Sequence, residues 1–507
     1  MPNKLAWWAW SILVLSAVAA RGDVRLPALF SDHMVLQQGA AVPVWGWADA
    51  AERVTVTAGE QKKTAVAGED GKWRVVLDSM RASSDAIAFA VEGTNRIELA
   101  DVVVGEVWVA SGQSNMEWPL KQAANAAEEL AAADNPRLRM FTVKKSTAVE
   151  PAADVTGAWE VSSPTTAGRF SAVGYFFARQ LVADLKMPVG IIHSSWGGTP
   201  AEAWTSRATL QAHPALRILV ENADKAIADY DDRLAQHAKA LAVWEQQRDK
   251  ARAEGKPVPQ RPRPPLSATA PSRPANLYNA MLAPLVGYGI RGVIWYQGEA
   301  NAGRPQEYRT LFPTMIQDWR KRWGQGDFAF LFVQLANFRA RRDLDSVESN
   351  WALLREAQAL TLAVPKTGMA VTIDIGDERD IHPRNKQDVG RRLARAAMSV
   401  AYGQTVQWRG PTFRKMAIAD GKVRIDLDHA RGLKAREGQV VGFVIAGEDR
   451  HWHVAEAKID GQSVVVWSDQ VPKPVAVRYA WADAPQSSLY NDQDLPAGPF
   501  RTDDWAK

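Results

Sequence analysis

Five short runs of almost wholly apolar residues constrain this chain more than any other feature. They span residues 102–110, 189–192, 292–295, 328–333 and 369–373, and most give way to a cluster of Gly, Ser, amide or acidic side chains. A run this short that is apolar at nearly every position, not every second one, suits a strand covered on both faces. Helical patterns lie between or after the runs. One is expected near 122–133, one carries Tyr175, Phe176, Leu181 and Leu185, and two more cover 351–362 and 387–401. Apolar strands alternating with amphipathic helices predict an α/β fold with a parallel sheet.

The rest of the chain reads differently. Val42-Pro-Val-Trp-Gly-Trp47, Val54-Thr-Val-Thr57 and Trp73-Arg-Val-Val-Leu77 are short strands separated by turns such as Gly68-Glu-Asp-Gly71, which predicts a β-sandwich over residues 23–100. The α/β pattern fills 101–403. It is interrupted at about 207–275 by a charged, Ala-rich helical stretch and then by seven prolines between 257 and 274, which cannot continue a helix. A helical hairpin insertion followed by a solvated loop is expected there. Strand patterning returns in Val423-Arg-Ile-Asp-Leu427, Val440-Val-Gly-Phe-Val444 and Ser463-Val-Val-Val-Trp467, so 404–507 is expected to be a C-terminal β domain. At the other end, Lys4 precedes an apolar run over 5–20 that closes on Ala17, Ala19 and Ala20. That is the pattern of a secretory signal peptide, here 1–22, and too short a run to span a bilayer comfortably. A soluble protein starting between Ala20 and Asp23, periplasmic or secreted, is the expectation.

Two function classes drop out on composition. The 61 basic and 57 acidic residues nearly balance, and no stretch concentrates Lys and Arg as a nucleic-acid footprint would. There is no cysteine, which excludes disulfides, thiolate metal sites and a Cys nucleophile.

The polar clusters hold the chemistry. Gly112-Gln-Ser-Asn-Met116 follows the first apolar run. Ligands of open α/β sheets bind beyond the carboxyl ends of strands. A serine there presents its hydroxyl to the crevice, and its own N–H, at a helix start, can meet a developing oxyanion. Of eight histidines, only His193 and His382 are expected just beyond strands of the α/β region. His382 comes with carboxylates, Asp380 two residues before it and Asp377 five before, able to orient an imidazole and stabilise its cation. His451 and His453 alternate on an expected strand and read as surface residues, with no third ligand for a metal. Two further clusters, His193-Ser-Ser-Trp-Gly-Gly-Thr199 and Trp295-Tyr-Gln-Gly-Glu-Ala-Asn301, offer backbone N–H groups at Gly and the uncharged amides Gln297 and Asn301 as donors.

Gly112-Gln-Ser-Asn-Met116, Ser195-Trp-Gly-Gly-Thr199, Tyr296-Gln-Gly-Glu299 with Asn301, and Asp380-Ile-His-Pro383 resemble the signature blocks of the sialate O-acetylesterase family, within the SGNH hydrolase superfamily. Leu29-Phe-Ser-Asp-His-Met-Val-Leu-Gln-Gln38 and Asn276-Leu-Tyr-Asn-Ala-Met281 extend the resemblance over most of the chain. It implies a flavodoxin-like catalytic domain with accessory β regions and a cofactor-free serine esterase. Ser114 would be the nucleophile and His382 the base. The oxyanion hole would come from the N–H of Ser114, that of Gly198 or Gly197, and the amide of Gln297 or Asn301. Gln113, Trp196, Glu299 and Tyr278 would contact substrate. The usual acid of such enzymes lies three residues before the histidine, where this chain has Arg379. Asp380 is the nearest carboxylate, with Asp377 or a backbone carbonyl as alternatives.

The implied partner is an acetylated sugar or glycan, with no nucleic acid and no membrane after signal cleavage. A sialic acid carries a carboxylate, for which Arg304 and Arg379 are candidates by location. Trp118, Trp196 and Trp204 are aromatic faces near the expected site. Acetylated xylan or another plant polysaccharide is the second substrate class. A non-catalytic carbohydrate-binding protein, and a lipase or thioesterase, are the rival functions.

Overall fold

A computed structural model of the chain describes residues 23–339 and 349–505. The expected signal peptide lies outside the described residues. The expected parallel sheet forms from five strands: β1 (Arg96–Gly112), β2 (Val189–Ser195), β3 (Gly292–Tyr296), β4 (Ala329–Val333) and β5 (Thr367–Ala370). All four pairings are parallel, in the order β2-β1-β3-β4-β5. That is the flavodoxin-like order, with its reversal at β1. Strand Asn135–Thr142 adds to the outer edge of β2, and Trp159–Ser162 follows it antiparallel.

Alternate residues of β1 enter two separate cores, as the period of a strand requires. Val107 and Val109 face a layer that includes Trp295, Phe330 and Phe332, covered by helices α2 (Pro305–Trp323) and α3 (Asn350–Leu360). Trp108 and Ala110 face the opposite layer with Ile294 and Leu331, covered by α1 (Ala172–Leu185) and α4 (Lys386–Val400). The continuous apolarity of these strands is therefore burial on both faces.

β1 also binds the N-terminal β region to the sheet. Its first residues pair antiparallel with strand Ser83–Glu92, while Val103–Gly105 pair with the short strand Val35–Gln37. Where the regions meet, Glu106 is buried and accepts from Arg291 Nε and Nη2 at 2.7 and 3.0 Å. It also accepts from the Gln37 and Gln38 amides at 3.2 and 2.6 Å and from the Tyr402 hydroxyl at 3.2 Å. After β2 the insertion carries helices Arg207–Ala212, Arg217–Ala228 and Tyr230–Ala253. The return leg of the long helix is not a second helix. It is the proline-rich chain, whose Pro259 carbonyl accepts from Trp244 at 2.8 Å. Beyond residue 404 come two four-stranded antiparallel sheets. Among the described residues no helix is long and apolar enough to cross a membrane.

Removing one partner of a buried ion pair strands the others in low dielectric. Glu106→Ala is expected to destabilise the protein by about 3 kcal/mol, and Glu106→Gln, which keeps an acceptor, by less. A urea titration checks this; equal midpoints for Glu106→Ala and wild type would show that water replaces the carboxylate.

Candidate active site

Strand register brings the site together. Gly112 at the end of β1 is level with Ser195 on β2 and with Tyr296 on β3. Gly112 has φ 137°, and a Cβ there would lie 2.2 Å from the Tyr296 carbonyl oxygen. Only glycine allows that approach and that backbone. The Gln113 N–H then donates to Tyr296 O at 3.0 Å, and Ser114–Glu117 makes one helical turn. The helix expected near 122–133 is the 3-10 turn Leu120–Gln122 and the short helix Ala126–Ala131.

Ser114 Oγ lies 2.8 Å from His382 Nε2, although 268 residues separate them. The loop carrying His382 leaves β5 and is held by Arg392 of α4, which makes a two-pronged ion pair with Asp374 at 2.6 and 2.8 Å and bonds the Val371 carbonyl at 2.6 Å. The imidazole stacks on Trp118, with centroids 5.0 Å apart and planes at 19°. Burial pushes His382 below the usual histidine pKa of 6.5. Asp380 opposes that, Lys386 reinforces it and Glu117 opposes it. The ring is thus neutral near pH 7, as a general base must be.

Asp380 is the carboxylate beside the histidine, but not through a ring hydrogen bond. Its Oδ1 accepts the His382 backbone N–H at 2.9 Å and lies 3.6 Å from Nδ1, beyond hydrogen-bond range. Asp377 is occupied by the Arg379 N–H at 2.8 Å. His193 is not beyond β2 but within it. It is buried, bonded to Ser195 Oγ at 2.6 Å, and pushed down to about 4 by burial.

The expected oxyanion donors divide. The N–H groups of Ser114 and Gly198 make no hydrogen bond among the described residues. Gly197 donates instead to Glu117 Oε2 at 2.7 Å, and Lys145 holds the other oxygen at 2.5 Å. Gln297 and Asn301 are fully buried and bonded to each other. Gln297 Nε2 reaches Asn301 Oδ1 at 2.6 Å and Thr199 O at 3.3 Å, and Asn301 Nδ2 reaches Glu202 at 3.0 Å. Their amides strap the loops after β2 and β3 together.

The four residues expected on substrate also divide. Trp196 is half-buried with the Lys145 ammonium 5.4 Å from its ring centroid. Gln113 is buried, accepting from Ala300 N–H at 3.2 Å. Tyr278 is a core residue beneath Arg322, its hydroxyl raised to about 12 by burial. The Glu299 carboxylate faces inward to Asn115 at 2.5 Å, and burial raises its pKa. Trp204 is fully buried in the core. Sequence reading did not single out Glu117, Asn115, Arg392 or Lys386; a buried lysine carries no local signal. No group of three or more His, Asp or Glu among the described residues could hold a metal.

Comparison with known proteins gives consistent matches. The family model described as carbohydrate esterase, sialic acid-specific acetylesterase, matches residues 104–250 and 269–399. The sialate O-acetylesterase of Mus musculus is 32% identical, with 96% of each chain covered. That of Homo sapiens is 30% identical over 96% of this chain and 94% of its own. The crystal structure of a carbohydrate acetylesterase from Xanthomonas citri is 40% identical with a TM-score of 0.81, covering 95% of this chain and 100% of that one.

The geometry predicts a pH profile. A base must be unprotonated, so kcat/KM for an acetate ester rises with pH and reaches half its plateau below pH 6.5, the ordinary histidine value from which burial lowers His382. Asp380→Asn keeps an oxygen for the His382 N–H and loses the charge. Its acid limb therefore moves lower still, and kcat falls only about tenfold, against about 10⁴-fold where a buried triad acid is lost. A loss near the larger figure, in steady-state kinetics, would mean that Asp380 closes onto Nδ1 during turnover.

Proposed function

The chain belongs to the carbohydrate esterase family of sialic acid-specific acetylesterases, and we propose that it removes O-acetyl groups from a sialic acid through an acyl-enzyme on Ser114. The chain is a carbohydrate O-acetylesterase. The observation that carries the mechanism is the 2.8 Å contact between Ser114 Oγ and His382 Nε2 at the reversal point of the sheet.

Ser114 attacks the acetyl carbonyl as His382 takes its proton through Nε2. The ring's own proton then sits on Nδ1, facing Asp380. The free N–H groups of Ser114 and Gly198 receive the oxyanion, each worth about 10²–10³ in kcat by the usual cost of losing such a donor. The imidazolium protonates the sugar oxygen as it leaves, and water activated by the same ring releases acetate. Trp196, half-buried two residues before Gly198 with Lys145 over its ring, is the aromatic face for the sugar.

The choice of an anionic sugar rests on one of the two candidate arginines, Arg379. Arg304 is engaged by Glu202 and Glu307 and has little charge to spare. Arg379 is exposed, three residues from His382, and its guanidinium has no ion-pair partner among the described residues. It is free to meet a substrate carboxylate in the paired geometry guanidinium favours. Export belongs to the same proposal, supported by Lys4 and the apolar run over 5–20.

Acetate release is measured from O-acetylated sialic acids, acetylated xylo-oligosaccharides and 4-nitrophenyl acetate. Ser114→Ala is expected to lose about 10⁴-fold or more on every ester. Arg379→Ala raises KM about fivefold for the sialic acid alone. Preference for acetylated xylan with Arg379→Ala unchanged would move the substrate to plant polysaccharide. Glycan binding without acetate release would make the chain a binding protein, and preference for long-chain esters a lipase.

A further inference from the structure

Lys386 stands where a lysine is least expected. It is wholly buried and opens α4, the end of a helix that disfavours a cation. Its ammonium has no carboxylate within ion-pair distance among the described residues. It donates to Asn115 Oδ1 at 2.6 Å and lies 6.0 and 5.3 Å from the ring centroids of Trp118 and Tyr296. Burial pushes its pKa down to about 7, opposed by Glu299 and Asp380. A buried cation so thinly compensated costs stability, and departures of that kind concentrate at functional sites.

Asn115, next to the nucleophile, shows what the lysine holds. Its Nδ2 donates to Glu299 Oε1 at 2.5 Å and to the carbonyl of Ile381, the residue before His382, at 2.9 Å. One amide thus joins the turn bearing Ser114 to the loop bearing His382. Without Lys386, Asn115 Oδ1 would be a buried acceptor with no partner, and the amide could rotate away from Ile381.

We propose that Lys386 and Asn115 are positioning residues for ester hydrolysis, the ammonium fixing the amide that clamps the His382 loop over Ser114. This rests on the Ser114–His382 hydrolase reading. The groups facing His382 are Asp380 on its own loop, Lys386 on α4, and Glu117 after β1 with its partner Lys145. The Lys386 ammonium disfavours a second positive charge on the imidazole and lowers the His382 pKa.

The test is 4-nitrophenyl acetate hydrolysis against pH by the full chain, for wild type, Lys386→Met, Lys386→Gln, Asn115→Ala and the double variant Lys386→Met/Asn115→Ala. Lys386→Met and Asn115→Ala should each lose at least about tenfold in kcat with KM within about twofold. The double variant should lose no more than the worse single, as for residues acting in one chain of contacts. The acid limb should move up by about half a pH unit in both Lys386 variants and stay in Asn115→Ala. Unchanged kcat, multiplying losses, or an unmoved acid limb in the Lys386 variants overturns the proposal. Should Lys386→Met fail to fold, Lys386→Gln carries the pH comparison and Asn115→Ala the kcat comparison. A wild type without Ser114-dependent acetate release would sink the hydrolase reading itself; an active wild type with unmoved variants sinks only the positioning pair.

Discussion

Gly112 lies against the Tyr296 carbonyl so closely that no side chain fits between them. That contact sets the height at which β1 and β3 end, and the pairing of Gly112 with Ser195 sets the same height for β2. Three loops therefore start from one level at the reversal of the sheet. From the first comes Ser114, from the second the free N–H of Gly198, and from the third the buried amides that strap the loops together. A shift of one residue in any of these pairings would turn a strand's side chains to the wrong face, and the two apolar cores would resist it. The cores thus hold the position of a hydroxyl that lies outside them.

The histidine is positioned by several weak holds in place of one strong acid. Asp380 caps its backbone N–H, Trp118 stacks on its ring, Asn115 holds the preceding carbonyl, and Arg392 anchors the root of the loop at Asp374. The electrostatics are balanced in the same way. Burial and Lys386 keep the ring neutral, while Asp380 and Glu117 favour its cation. Asp380 is half exposed, so water screens it and its charge acts more weakly than a buried partner's would. A site with a distant acid can still work if the resting base is already neutral and already aimed.

The sheet was legible because its signal is local. Each strand is buried on both faces, so its own residues carry the evidence, and the proposed nucleophile and base lie in the loops that follow β1 and β5, on the side where open sheets bind ligands. The remainder depended on partners far away in the chain. Nothing near Gln297 says that its amide meets Asn301 and Thr199 before it could meet an oxyanion. Nothing near Tyr278 says that Arg322 covers it. The pattern change at Asp101 suggested a boundary, yet β1 runs through it as one strand, because its two halves find different partners. Lys386 was invisible for the plainest reason: a lysine opening an amphipathic helix usually faces water.

The buried amides show how the loops around the half-buried Ser114 and His382 are held in place. Gln297, Asn301, Thr199, Glu202 and Tyr308 form a connected set beneath the loops, with Tyr308 donating to Gln297 Oε1 at 3.0 Å and the Ala201 N–H to Asn301 Oδ1 at 2.9 Å. Polar groups at such depth are stable only when paired, and a fully paired set admits few alternative arrangements. On the other side, Glu117, itself held by Lys145, accepts the Gly197 N–H, while the next N–H in the turn, that of Gly198, makes no hydrogen bond among the described residues. Spending one set of donors inside the protein thus fixes the direction of the few left free. The stabilising hydrogen bonds and those proposed for catalysis are different bonds, and the second set gets its geometry from the first.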